Sequence, residues 1–253
     1  MITGKMFRDG IISASNNIAN SRHAVDALNI FPVPDGDTGT NMSMTIGAAA
    51  KEMAVLPDDC TISEASARCA SALLRGARGN SGVILSLIFR GFSKAFKGLE
   101  KADGKAVAKA FSEGVDAAYK AVMKPTEGTI LTVIRMAAEA AEELAKTVND
   151  PMDIALAALI AAKEALAKTP EQLPVLKKAG VVDAGGQGLV LILQGFESVF
   201  DNSAIVQPLE GSAVTPVSAP DKSTVAAASD DIEFGYCSEF LIEKADDAKE
   251  KDP

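Results

Sequence analysis

Asn29-Ile30-Phe31-Pro32-Val33-Pro34-Asp35-Gly36-Asp37-Thr38-Gly39-Thr40-Asn41-Met42 is the stretch around which the chain is organised. Two carboxylates one residue apart lie between a pair of prolines and a pair of glycines, and a helical pattern begins directly afterwards. Pro32 and Pro34 hold the approach extended and bias the residues before them away from helix. Gly36 and Gly39 are expected to turn the backbone tightly around Asp35 and Asp37. Such a loop can aim both carboxylates at one point. Mg²⁺ suits it, because that ion commonly takes one or two protein carboxylates and fills its octahedron with phosphate oxygens and water. Thr38 and Thr40 fall at the start of the next helix, where unpaired N–H groups and the helix dipole favour a phosphate. An isolated Asp-Gly-Asp is an ordinary surface turn. The rest of the chain gives this one its weight.

The 253 residues are 47% hydrophobic but only 5% aromatic, without tryptophan. That balance predicts a core of close-packed helices, since a β sandwich needs more β-branched and aromatic residues. A formal net charge of −9 argues against a chain that wraps nucleic acid, which requires clustered Lys and Arg. Cys60, Cys69 and Cys237 are odd in number and form no Cys-x-x-Cys pair, which predicts reduced thiols and a cytoplasmic location. Lys5, Arg8 and Asp9 interrupt Met1 to Ile12 before any signal-like apolar run forms. Val83 to Phe89 is the most apolar stretch and is far too short to span a bilayer, so no integral membrane segment is expected.

Apolar spacing predicts the helices in turn. Phe7, Ile11, Ala14, Ile18, Val25 and Leu28 mark one long first helix, and Met42, Ile46, Ala49 and Met53 a second that starts near Thr40. Thr61-Ile62-Ser63-Glu64 has capping-box spacing and opens a third. A fourth begins near Ser81, a fifth follows Asp103 and stops at Lys124-Pro125, and a sixth runs roughly from Thr129 to Thr147. Asp150-Pro151 is an N-cap with a first-turn proline and starts a seventh, expected to end at Ala167. Residues 170–178 suggest a short turn or helix, and a last apolar helix ends near Phe200. His23, the one histidine, has no evident partner and is read as a surface or partly packed residue.

The connections between these helices carry the polar and glycine motifs. Gly76-Ala77-Arg78-Gly79-Asn80-Ser81-Gly82 precedes a helix whose free N–H groups point into the loop, a plausible phosphate cradle. It is not a Walker motif, because no Gly-Lys-Ser/Thr follows and no strand precedes it. Arg78 is a candidate to stabilise negative charge held in that cradle, or else to form a surface salt bridge. Pro125-Thr126-Glu127-Gly128-Thr129-Ile130-Leu131 and Gly180-Val181-Val182-Asp183-Ala184-Gly185-Gly186-Gln187-Gly188-Leu189 are two further helix-opening turns. If the helices alternate up and down, these loops share one end.

Taken together, PVPDGDTGTNM, GARGNSG, KPTEGTIL and VVDAGGQGL resemble, in the same order, segments of the nucleotide-binding domain of bacterial fatty acid kinases, the A subunit. That domain is similar in turn to the ATP-binding subunit of dihydroxyacetone kinases. The resemblance covers roughly residues 3–200 and implies an all-α barrel or bundle of about eight antiparallel helices, with nucleotide bound in the loops at one rim. It implies ATP or ADP and one or two Mg²⁺ held by Asp35 and Asp37, with Asn29 or a neighbouring carbonyl. Thr38, Thr40, Asn41, Gly79, Asn80, Ser81, Gly82, Thr129, Asp183 and Gly185 are implied as nucleotide contacts, and Thr126 and Glu127 lie in the same loop. For Asp183, a metal-bound water, the ribose and a backbone amide all remain open as partners. The implied reaction passes the γ-phosphoryl of ATP to a fatty acid carboxylate held by a separate binding protein, giving an acyl phosphate. Two alternatives stand beside it, a dihydroxyacetone-type phosphotransferase subunit and a nucleotide-binding regulatory module without turnover.

Three segments are expected. Residues 1–200 form the helical domain and 201–231, where periodicity gives way to Pro, Ser, Ala and Thr, form a flexible linker. Residues 232–253 carry Phe234-Gly235-Tyr236-Cys237-Ser238-Glu239-Phe240, which looks like the opening of the middle domain of full-length fatty acid kinases, cut short, or else a disordered tail. Alanine-rich helix faces are compatible with a homodimer.

Overall fold

The computed structural model describes residues 1–202 and 204–209. Among them are eight long helices, α1 (Gly4–Asn20), α3 (Thr38–Met53), α4 (Ile62–Gly76), α5 (Gly79–Ala95), α6 (Gly104–Ala121), α7 (Ile130–Leu144), α8 (Pro151–Gln172) and α10 (Ala184–Asn202). Two short ones, α2 (Arg22–Asp26) and α9 (Pro174–Ala179), sit in connections. The strands among the described residues are β1 (Ile2–Thr3) and β2 (Lys101–Ala102), an antiparallel pair with Ile2 opposite Ala102. The expected all-α class holds.

Each long helix packs on the next, α1 on α3 and so on through α7 on α8 and α8 on α10, and α10 returns to pack on α1. The ring therefore closes into a barrel. Short connections make successive long helices antiparallel, so the loops alternate between two ends. The segments 27–37, 77–78, 122–129 and 173–183 all fall at one end, called here the rim.

Local chemistry sets the helix starts. Thr3 accepts the Met6 N–H at 3.2 Å, Asp103 accepts that of Ala106 at 2.9 Å, and Asp150 accepts those of Met152 and Asp153, with Pro151 at the first position. Thr61 and Glu64 form the expected reciprocal box. The core is aliphatic, with Ile11, Ile18, Met42, Ile46, Leu73, Leu85 and Ile134 almost fully excluded from water. Side chains of this size each contribute about 1.5–3 kcal/mol on burial.

The few aromatics gather away from the rim. Phe7 lies 6.1 Å from Phe96 and 5.7 Å from Phe196, and Phe92 lies 5.1 Å from Phe111, all ring to ring. They line a cavity of about 430 Å³ inside the barrel, with Asp153, Glu197 and Asp201 among the residues around it. Its walls come from the starts of α1, α6 and α8 and the ends of α5 and α10, which places it toward the end opposite the rim.

Several boundaries differ from expectation, three of them with a clear reading. The first helix does not run to Leu28, because the backbone at Ser21 leaves helical geometry (ψ 7°) and splits off α2. The second starts at Thr38 rather than Thr40. The seventh continues past Ala167 through Pro170. A proline cannot donate to the carbonyl four residues back, here that of Leu166. The Thr169 hydroxyl supplies that bond instead, at 2.7 Å, so the helix survives the proline.

Residues 204–209 open the stretch expected as linker, and they run along α1. The Val206 carbonyl accepts from Asn16 and its N–H donates to Ser13, while Asn20 bonds both the Gln207 carbonyl and the Leu209 N–H. The linker beyond residue 209 and the segment 232–253, with Cys237, lie outside the described residues. Cys60 and Cys69 are buried free thiols.

Candidate functional site

The loop from residue 27 to 37 descends from α2 to α3 across a cis Phe31–Pro32 peptide, with Gly36 in left-handed geometry at φ 66°. Asp35 is exposed at its tip. Asn29, 7% exposed, donates its side-chain N–H to the Asp35 carboxylate. Asn29 thus orients Asp35 with its amide nitrogen. Asp37 occupies the N-cap position of α3 yet makes no side-chain cap bond. Its carboxyl is held above the usual range, by burial first and also by the charges of Asp35 and Asp26, while a hydrogen bond from Asn41 opposes the rise. A cation between Asp35 and Asp37 would relieve that repulsion.

The donor set fits Mg²⁺ of one kind. Among the described residues no group of three or more His, Cys, Asp or Glu side chains is placed to hold a metal. Two carboxylates on a solvent-facing loop match an ion that completes its shell with substrate phosphates and water.

Thr38 is buried and lies in the first turn of α3. Thr40 spends both its N–H and its hydroxyl on the Asp26 carboxylate, each at 2.9 Å. Its hydroxyl is therefore committed within the protein. Gly39 is helical rather than a turn residue: a Cβ there would meet the Arg22 carbonyl and come within 2.9 Å of Val25. It is small so that α2 can lie on α3.

The second motif stands against the first. Gly79 has φ 60°, and a Cβ on it would come within 2.5 Å of the Asn41 side-chain nitrogen, the same side chain that reaches Asp37. No side chain caps α5, whose first turn holds Gly79, exposed Asn80, half-buried Ser81 and buried Gly82. Thr45 locks this turn to α3: its hydroxyl donates to the Asn41 carbonyl at 2.7 Å and accepts the Arg78 N–H at 3.1 Å. The Arg78 guanidinium is exposed and bonds the Ala77 carbonyl.

The other two rim segments are more deeply structural. Thr129 caps α7 through the Leu131 N–H, at 3.4 Å, and donates to the Thr126 carbonyl at 2.7 Å. Glu127 accepts from Thr132 and Arg135, and those bonds overcome desolvation to hold its carboxyl below the usual range. Asp183 is 5% exposed and accepts backbone N–H groups from Gly186 and Ile130. Of the three partners open for it, the structure supplies the backbone amide. Gly185 is buried between Asp183 and Ile130. His23 is exposed, beside the Arg22 guanidinium.

Sequence reading missed Asp26, Thr45 and Thr169. Thr45 follows Asn41 by four residues and shares its helix face, and Thr169 stands just before a proline. Asp26 carries no such local sign.

A model of the DAK2 domain matches residues 32–198. The protein YloV of Bacillus subtilis (strain 168) is 43% identical over 248 residues, covering 95% of this chain and 44% of its own. An uncharacterized protein of Staphylococcus epidermidis is 42% identical over 252 residues, with the same coverage. The chain thus spans less than half the length of these relatives. Among solved structures, the dihydroxyacetone kinase of C. freundii in its native form aligns at TM-score 0.53 and 18% identity, covering 78% of this chain and 35% of that one. The same kinase in complex with AMP-PNP and Mg²⁺ aligns at TM-score 0.53 and 21% identity, over 75% and 33% of the two chains. At those identities the likeness is one of fold. The family model covers most of the helical barrel, and with it the chain belongs to the DAK2-domain family.

Proposed function

We propose that this chain is the ATP- and Mg²⁺-binding part of a kinase that phosphorylates a fatty acid carboxylate presented by a separate protein. The observation that carries the reading is the junction of Asp35 and Asp37 with the uncapped N-terminus of α5 through Asn41 and Thr45. Mg²⁺ bound there would neutralise phosphate charge during transfer. Asp35, oriented by Asn29, and Asp37 hold that ion. The amides of Gly79, Asn80 and Ser81 receive phosphate oxygens, and Arg78 has reach to place a positive charge beside them. Transfer moves the γ-phosphorus from the β–γ bridging oxygen to a carboxylate oxygen, yielding ADP and acyl phosphate. A carboxylate is already ionised at neutral pH, so no protein base is required.

One feature supports an acceptor brought from outside. Val33, Leu74, Val83 and Met123, which flank the rim segments, are large apolar side chains exposed by 47% or more. A docked protein would cover them. Buried free thiols and a nucleotide substrate support a cytoplasmic setting for this activity.

The test is calorimetric titration of ATP with and without Mg²⁺ into the chain and into Asp35→Ala and Asp37→Ala. Saturable Mg²⁺-dependent binding, lost in both variants, is expected. No binding to folded wild type rejects the reading. Turnover assays on relatives' full-length chains then separate acceptors: acyl phosphate formation supports the fatty acid reading, dihydroxyacetone phosphorylation replaces it, and binding without turnover leaves a regulatory module.

A further inference from the structure

Asp37 stands where an aspartate ordinarily accepts the N–H of the second or third helical residue. It does not do so here. The third residue of α3, Thr40, gives its N–H and its hydroxyl to Asp26, which belongs to the preceding short helix. From this exchange we infer that Asp26 is a positioning residue for the candidate cation site: it caps α3 from outside and so keeps the Asp37 carboxylate out of the helix cap and turned toward the ion. The inference rests on the metal reading proposed above.

The surrounding packing supports a built arrangement. Val25, 1% exposed, anchors α2 in the core, and Gly39 gives the room that lets Asp26 reach the α3 terminus, since a Cβ on it would stand 3.0 Å from the Asp26 carboxylate. Asn29 performs the matching task for Asp35 by donating to its carboxylate. Each of the two candidate ligands is thus served by a residue from the start of the same segment. Without Asp26, the unpaired amides at the α3 N-terminus would draw the Asp37 carboxylate into the ordinary cap, away from the ion.

The experiment measures Mn²⁺ affinity by calorimetry for wild type, Asp26→Ala, Asp26→Asn and Asp35→Ala, together with a crystal structure of metal-free Asp26→Ala. Asn caps about as well as Asp, so Asp26→Asn should stay within about threefold of wild type while Asp26→Ala weakens binding by about tenfold or more. In the Asp26→Ala crystal the Asp37 carboxylate should accept the Gly39 or Thr40 N–H. Unchanged affinity in Asp26→Ala, or an Asp37 that has not moved, overturns the inference. Equal losses in Asp26→Asn and Asp26→Ala also overturn it, because they would mark Asp26 as a direct ligand. If wild type and Asp35→Ala both fail to bind Mn²⁺, the metal reading fails, and the Asp37 position in the crystal still decides the capping role. Should Asp26→Ala not fold, Asp26→Ser, too short to reach both Thr40 groups, takes its place.

Discussion

The Gly186 N–H donates to the Asp183 carboxylate at 2.7 Å, and the same carboxylate accepts the Ile130 N–H, so one side chain closes the N-termini of α10 and α7 together. Burial pushes its carboxyl up to about 6, against which the two amides pull only part of the way down. The folded chain therefore holds this proton more tightly than the unfolded chain, whose value is near 3.8. Stability from this group is present at low pH and is lost as pH rises through about 6. Asp183→Asn keeps a capping oxygen and removes the titration. The stability difference between the two proteins should shift in favour of wild type by roughly 1–2 kcal/mol between about pH 7.5 and pH 5. Urea unfolding at both values checks this, and parallel pH profiles would sink it.

Thr45 couples the N-terminal turns of α3 and α5 through one hydroxyl that is fully excluded from water. Thr45→Val keeps the volume and leaves the Arg78 N–H without its partner. A loss of about 1–3 kcal/mol is expected, as for other unsatisfied buried donors. Hydrogen exchange at the Arg78 amide should accelerate in the same variant. A variant as stable as wild type with unchanged exchange would mean that solvent already serves that amide.

Gly79 and Gly98 share left-handed geometry, at φ 60° and φ 78°, but a Cβ at Gly98 has nothing within 4 Å. Alanine should cost about 1–2 kcal/mol of backbone strain at either position. Only Gly79→Ala also displaces Asn41, which reaches Asp37. Thermal unfolding should rank the two variants together, and nucleotide titration should separate them, with weakened Mg²⁺-dependent binding in Gly79→Ala alone. Equal binding would place Asn41 outside the site.

The helical class was readable because apolar spacing and caps are local. Thr61 with Glu64, Asp103 and Asp150 with Pro151 each start a helix by contacts within three residues, and each stands where the sequence puts it. What the sequence hid is reach. Asp26 acts fourteen residues away and Thr45 thirty-three away, and neither distance leaves a periodic trace. Thr40 and Asp183 are short polar side chains at helix starts, a position that serves capping and ligand contact alike. Their partners within the protein, Asp26 for Thr40 and the Gly186 and Ile130 amides for Asp183, become visible only when the helices meet. Gly39 reads as a turn for a similar reason: glycine signals both left-handed backbone and close helix approach.

Asn20 holds residues 207 and 209 by donating to the Gln207 carbonyl at 2.9 Å and accepting the Leu209 N–H at 2.8 Å, the pairing that a neighbouring strand would make. Higher on α1, Asn16 and Ser13 serve the carbonyl and N–H of Val206. Three side chains thus fasten a segment that has no regular structure of its own. Ser13 is fully buried, whereas Asn20 is partly exposed, so the two contacts should differ in cost. Asn20→Ala exposes groups that water can satisfy, and the global loss should stay below about 1 kcal/mol; Ser13→Ala strands the Val206 N–H and should cost about 1–3 kcal/mol. The local signal is sharper. Amide exchange at Leu209 should rise in Asn20→Ala while that at Val206 holds, and the order should reverse in Ser13→Ala. If both variants released both amides equally, the segment would detach as a unit, and the contacts would act together rather than one by one.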